Sequence, residues 1–141
     1  MRRLAGLLVA LLAGCGAVPL GPVEKPDDYP DRRSAVSTWE TYIWAVQAGD
    51  LKVLEETTGG VAREELDLQV KKNGRDATAA WYAASGALRV EEAEWLDKGE
   101  ATARLRAALA SEKVPRAEAV FFFGRNGSSR TWFVFKREVS R

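Results

Sequence analysis

Histidine is missing from this chain altogether, and cysteine occurs once, at Cys15. The first absence removes Ser-His-Asp and Cys-His catalysis, imidazole zinc sites and the usual proton carrier near neutral pH. The second excludes a disulfide within the chain and rests all thiol chemistry on one residue. Charge of one sign is not in excess either. Twenty-one Lys and Arg stand against 20 Asp and Glu, for a net charge of +1, which gives no footing for nucleic acid or for a polybasic membrane patch. A long dense apolar run is also lacking. No charge interrupts residues 4–23, about the length a spanning helix needs, but glycine and proline fill the second half of that stretch. Its dense part is the nine residues LAGLLVALL, too short to cross a bilayer. Whatever chemistry the chain does must come from carboxylates, Tyr, Lys, Arg, Ser or Thr, so the expectation is a protein without catalysis, without a metal and without a cofactor.

What is present at the N-terminus reads as an address. Met1-Arg2-Arg3 is a short positive region, residues 4–12 are apolar, and Ala13 and Gly14 are small. That is the layout of a secretory signal peptide. Leu12-Ala13-Gly14-Cys15 further resembles the lipobox of bacterial lipoproteins. The resemblance implies cleavage between Gly14 and Cys15, a diacylglyceryl group on the Cys15 thiol and acylation of the new N-terminus. Several acyl chains hold a protein on a membrane where one does not. The expected location is therefore the cell envelope, on the extracytoplasmic side of a membrane. An ordinary signal peptide with a chance cysteine and an uncleaved anchor are the competing readings. Removing 14 of the 141 residues leaves 127 and a net charge of −1, enough for one domain with one core.

Four of the five prolines, at positions 19, 22, 26 and 30, lie in residues 16–33. Such a stretch cannot be helical and favours an extended conformation, so residues 15–33 are read as the lipidated cysteine and a flexible spacer. Residues 34–141 are read as a single domain. Val36, Trp39, Ile43 and Val46 recur at helical spacing over residues 34–48, with Ser34 or Asp31 as cap and Gly49 as stop. Asp50 caps a short helix that ends at Gly59-Gly60. Residues 61–72, with Val61, Leu66 and Val70 inward, and residues 77–84, with Asp76 as cap, form one interrupted helix or two. After Gly86 the period falls to two. Leu88 and Val90 alternate with charges, and the pattern slips at Glu91-Glu92, which predicts a bulge. Asp97-Lys98-Gly99 marks a turn, and strict alternation over residues 101–109 predicts a strand in spite of its alanines. Residues 117–123 and 131–139 are the last two strands, joined by a turn with Asn126-Gly127 at its centre.

Helices first and an antiparallel sheet afterwards predict an α+β domain, with the helices on one face of a curved sheet of about four strands. Residues 42–54, YIWAVQAGDLKVL, run a first helix through Ala-Gly-Asp into a short second one, and residues 130–136, RTWFVFK, form the closing strand. On these the domain resembles the nuclear-transport-factor-2-like (cystatin-like cone) superfamily over about residues 34–137. The resemblance implies a cone-shaped cavity between helices and sheet. It does not fix a function, since members include enzymes, ligand binders and dimerising scaffolds, and no catalytic motif of the family carries over.

Tyr42, Trp44, Trp81 and Tyr82 are the candidates for lining such a cavity, because they offer stacking surface with a polar tip. The plainer reading makes Trp39, Trp81, Trp95 and Trp132 core fillers. Asp50 is most simply a helix cap and Asp67 a solvated residue. Glu91, Glu92 and Glu94 have the composition of a calcium site, but alternate strand residues point to opposite faces. Arg104 and Arg106 share a face and suit either an anion or cross-strand pairing with the glutamates. The leading expectation is a lipid-anchored envelope protein whose domain binds a small ligand or a protein partner. The alternatives are a carboxylate/tyrosine enzyme of isomerase or dehydratase type in a cone-shaped pocket, and a scaffold that pairs with a second copy through its sheet.

Overall fold

The computed structural model describes residues 23–84, 89–111 and 115–140. The signal segment, Gly14, Cys15, Pro19, Pro22 and Leu88 lie outside these residues.

Helix α1 (Ala35–Ala48) begins where the sequence supplies a reciprocal cap. The Ser37 backbone N–H donates to Ser34 Oγ at 3.0 Å, and the Ser34 N–H donates to Ser37 Oγ at 3.1 Å. It ends at Gly49, whose φ of 67° is left-handed. Asp50 caps α2 (Leu51–Thr57) by accepting from the Val53 N–H at 3.3 Å. Helices α3 (Gly60–Asn73) and α4 (Arg75–Ala84) are separate, broken at Gly74 with φ 86°. Asp76 is not the cap expected of it. It stands in the first turn of α4, where a negative charge still favours the helix start. Leu66 is buried and Val70 partly so, but Val61 is 48% exposed, contrary to its expected inward place.

Strands β1 (Arg89–Lys98), β2 (Thr102–Ala110), β3 (Ala117–Arg125) and β4 (Trp132–Ser140) form one antiparallel sheet in the order β1-β2-β3-β4. The fold is α+β with the helices preceding the sheet. The alanine-rich second segment is a strand, and the predicted bulge lies between Val90 and Glu92. A further shift separates Trp95 and Asp97.

A third irregularity has larger consequences. Phe123 pairs with Val134 while its neighbour Phe122 pairs with Lys136, so Phe135 is an extra residue in β4. Before it, Trp132 and Val134 face the helices and are buried. After it the alternation is offset by one, and Arg137 and Val139 take the inner face. Their cross-strand neighbours show this. Arg137 ends the row Trp95, Leu105, Phe121, and Val139 ends the row Ala93, Ala107, Ala119. Lys136 and Glu138, on the outer face, pair at 2.7 Å, and Lys136 lies over the Phe122 ring.

The core lies between α1 and the inner face. Trp39 meets Phe121 with centroids 4.9 Å apart, and Trp95 meets Phe123 at 5.2 Å. Ile43, Leu54, Leu105 and Val134 are fully enclosed around them. Each such side chain contributes about 1.5–3 kcal/mol by leaving water. The free edge of β4 is covered by the chain after α2, where the Gly59 N–H donates to the Val134 carbonyl at 2.9 Å.

The described part of the proline-rich segment is not a free spacer. Val23 and Tyr29 pack on the core. The Tyr29 hydroxyl donates to Asp50 Oδ2 at 2.9 Å, Thr41 Oγ1 exchanges hydrogen bonds with the Asp31 backbone, and the Trp132 N–H donates to the Arg32 carbonyl at 2.8 Å. Prolines exclude a helix here, but they leave the backbone groups free to bond to the domain. The folded unit therefore begins before Ser34.

Candidate functional site

Where α1 and α4 cross, the chains come close. A Cβ at Gly49 would stand 2.6 Å from the Ala79 carbonyl oxygen and 2.9 Å from the Ala83 side chain. Only glycine permits this approach at a left-handed φ. The crossing brings Tyr42 of α1 beside Tyr82 and Trp81 of α4, above the end of β4 that carries Arg137.

These four side chains form a wall shared by two adjoining cavities. The first, about 170 Å³, is the more polar and is bounded by Thr58, Glu65 and Gln69. The second, about 240 Å³, is mostly apolar and is bounded by Ile43, Val46, Leu109, Ala119, Phe121 and Val139. Its hollowness has a plain cause in residue size. Ala119 occupies the inner face where the next row places Phe121.

Both tyrosines stay protonated well above neutral pH. Burial raises the Tyr42 hydroxyl, Glu65 adds to the rise, and the Arg137 guanidinium beside it opposes it. Tyr82 is pushed up to about 12, first by burial, then by Tyr42 and Glu65 and against Arg137. The Tyr82 hydroxyl donates to Gln69 Oε1 at 3.1 Å. Trp81 is 57% exposed and meets the Tyr82 ring edge-on at 5.0 Å. It is not the core filler that its apolarity implies, whereas Trp39, Trp95 and Trp132 are. The carboxylate of the lining, Glu65, is exposed.

Three of the four aromatic candidates thus converge. Trp44 does not, and it lines neither cavity. Two residues along a helix is a rotation of about 200°, which turns Trp44 away from the side that carries Tyr42. Arg137 went unsuspected, because simple alternation on from Trp132 and Val134 puts it outside. The extra residue Phe135 reverses that, and nothing in the local sequence announces it.

The remaining candidates are engaged elsewhere. Asp50 caps α2 and accepts from Tyr29. Asp67 is paired with Arg63 at 2.8 Å. Arg116 reaches Glu92 at 3.1 Å and Glu91 at 3.9 Å, Arg106 pairs with Glu94, and Arg104 pairs with Asp97 at 2.6 Å. The outer sheet face carries these ion pairs beside Phe122 and Phe135, so it is not a uniformly apolar surface. Among the described residues no three His, Cys, Asp or Glu side chains gather as a metal would require, and no helix is long and apolar enough to cross a membrane. No protein-family model, no curated protein and no solved structure matches the chain.

Proposed function

We propose that this chain is a lipid-anchored cell-envelope lipoprotein whose α+β domain binds a small ligand without catalysing a reaction. The anchor is supported by Leu12-Ala13-Gly14-Cys15 standing directly after a positive and an apolar segment. The binding role is supported above all by Trp81. A large aromatic side chain 57% exposed at the wall of a cavity, edge-on to a second aromatic, is stacking surface that the core does not use. Kinship with the nuclear-transport-factor-2-like superfamily belongs to the same proposal, supported by two helices that meet at Ala48-Gly49-Asp50 and fold over the inner face of an antiparallel sheet. Tyr42 and Tyr82 act as hydrogen-bond donors in this reading, because both hold their protons at neutral pH. An enzyme would need a buried acid beside one of them, and Glu65 is exposed.

The anchor is tested by mass spectrometry of the mature N-terminus from a bacterial membrane fraction. The expected species begins at Cys15 and carries acyl chains, and Cys15→Ser leaves either a soluble protein or an uncleaved precursor. An unmodified thiol, or cleavage at another bond, rejects the anchor.

A further inference from the structure

We propose that the paired cavities take a small amphiphilic carboxylate, its aryl or short alkyl body in the apolar compartment and its carboxylate on Arg137. This deepens the reading of the domain as a small-ligand binder and rests on it.

The register of β4 sets the polar end of the site. The extra residue Phe135 brings Arg137 onto the inner face, at the end of a row whose other members are Trp95, Leu105 and Phe121. Arg137 is exposed and lines both cavities, so its guanidinium stands open to a ligand at their shared wall. Among the described residues no carboxylate pairs with Arg137. Its near neighbour is the neutral Tyr42 hydroxyl. A planar fork of donors suits a carboxylate, which it binds through two parallel hydrogen bonds. A protonated phenol beside it can supply another.

The body of the ligand follows from the adjoining compartment. Ile43, Phe121 and Val139 present apolar walls around about 240 Å³. An apolar cavity of about 150 Å³ accommodates a benzene ring, so this one holds a ring and a few further carbons but not a long acyl chain. Exposed Trp81 at the shared wall gives the ring a face to stack on. The polar compartment beyond the tyrosines contains Glu65, whose charge raises both phenols. The same charge repels a second negative group, so the site favours a monoanion over phosphate or a dicarboxylate.

The test is isothermal titration of the full-length protein in detergent, with empty micelles as blank. The probes are phenylacetate, its neutral amide phenylacetamide, and inorganic phosphate. The expected result is that phenylacetate binds about tenfold more tightly than the amide, as one charge-assisted contact allows, and that phosphate does not bind. Arg137→Gln should bring the acid-to-amide ratio to about one. Glu65→Gln should raise it, which a merely structural role for Glu65 would not do. Equal binding of acid and amide by the unaltered protein overturns the proposal and leaves the small-ligand reading intact. So does a ratio that survives Arg137→Gln, or phosphate binding in place of the acid. Heat from none of the three probes overturns both.

Discussion

Two neighbouring rows run across the inner face of the same sheet. Trp95, Leu105 and Phe121 make one, and Ala93, Ala107 and Ala119 make the other. The first is packed solid against α1, with Trp39 tilted onto Phe121 and Phe123 onto Trp95. The second opens at its β3 and β4 end into the apolar cavity beneath Tyr42 and Tyr82. Both rows lie on the same antiparallel strands, and side-chain volume separates a closed core from a hollow. Interiors pack to crystal density wherever large side chains meet, and alanines in place of tryptophan, leucine and phenylalanine leave room for a guest. The first row changes along its own length, from the apolar Trp95, Leu105 and Phe121 to Arg137 at its β4 end, where the cavities lie.

The contrast is most severely tested at the filled end. Phe123 is fully enclosed against Trp95, and Phe123→Ala should cost about 3–5 kcal/mol. That is a large share of the stability of a domain this size, and it will appear as a lower urea midpoint with an unchanged slope. A cost under about 1 kcal/mol would mean that this end is no better packed than the other.

A middle-sized effect is expected from Tyr82 in alkali. Its folded pKa of about 12 exceeds the unfolded value near 10, so its contribution is fully present below pH 10 and is lost as the pH rises toward 12. Tyr82→Phe should flatten the alkaline fall of stability over that window by about 1–2 kcal/mol, measured as the difference between the two proteins. Identical alkaline slopes would show the Tyr82 hydroxyl to be as well solvated as in the unfolded chain.

The smallest effect is the sharpest comparison. Ala119→Leu adds carbon into the cavity and should change stability by less than about 1 kcal/mol, while it blocks uptake of any probe. The same exchange at Ala103, buried in the row of Phe123 and Val134, should cost about 1–3 kcal/mol by overpacking. Equal costs at the two alanines would erase the distinction between the rows.

Much of this was legible from the residues alone, and the reasons are local. Ser34 and Asp50 have the side chains that satisfy a helix start, Gly49 can take the left-handed stop, and the slip at Glu91-Glu92 marks a bulge. The alternation in residues 102–110 outweighed their alanine content, since a strand's two faces impose a period of two whatever the intrinsic preference. Tyr42, Trp81 and Tyr82 were identified from their chemistry, but so was Trp44, because composition cannot say which side of α1 meets α4. Arg137 was missed for a different reason. Its place depends on how β4 registers against β3, and Phe135 looks like any other strand residue.

The sequence by itself determined the kind of each element, the order of helices before sheet, and the lack of any imidazole for catalysis. These follow from periodicity, caps and composition, which act over a few residues. Only the tertiary structure decided that residues 23–33 lie against the domain through Tyr29 and Asp50, that Trp81 points outward, and that Arg137 points in. Each of those depends on partners distant in the chain. Ala79 and Ala83 turn toward Gly49 and so rotate Trp81, two residues from each, toward solvent. One unpaired residue in β4 exchanges its inner and outer faces, and that residue is set by fitting two strands together, which no single segment encodes.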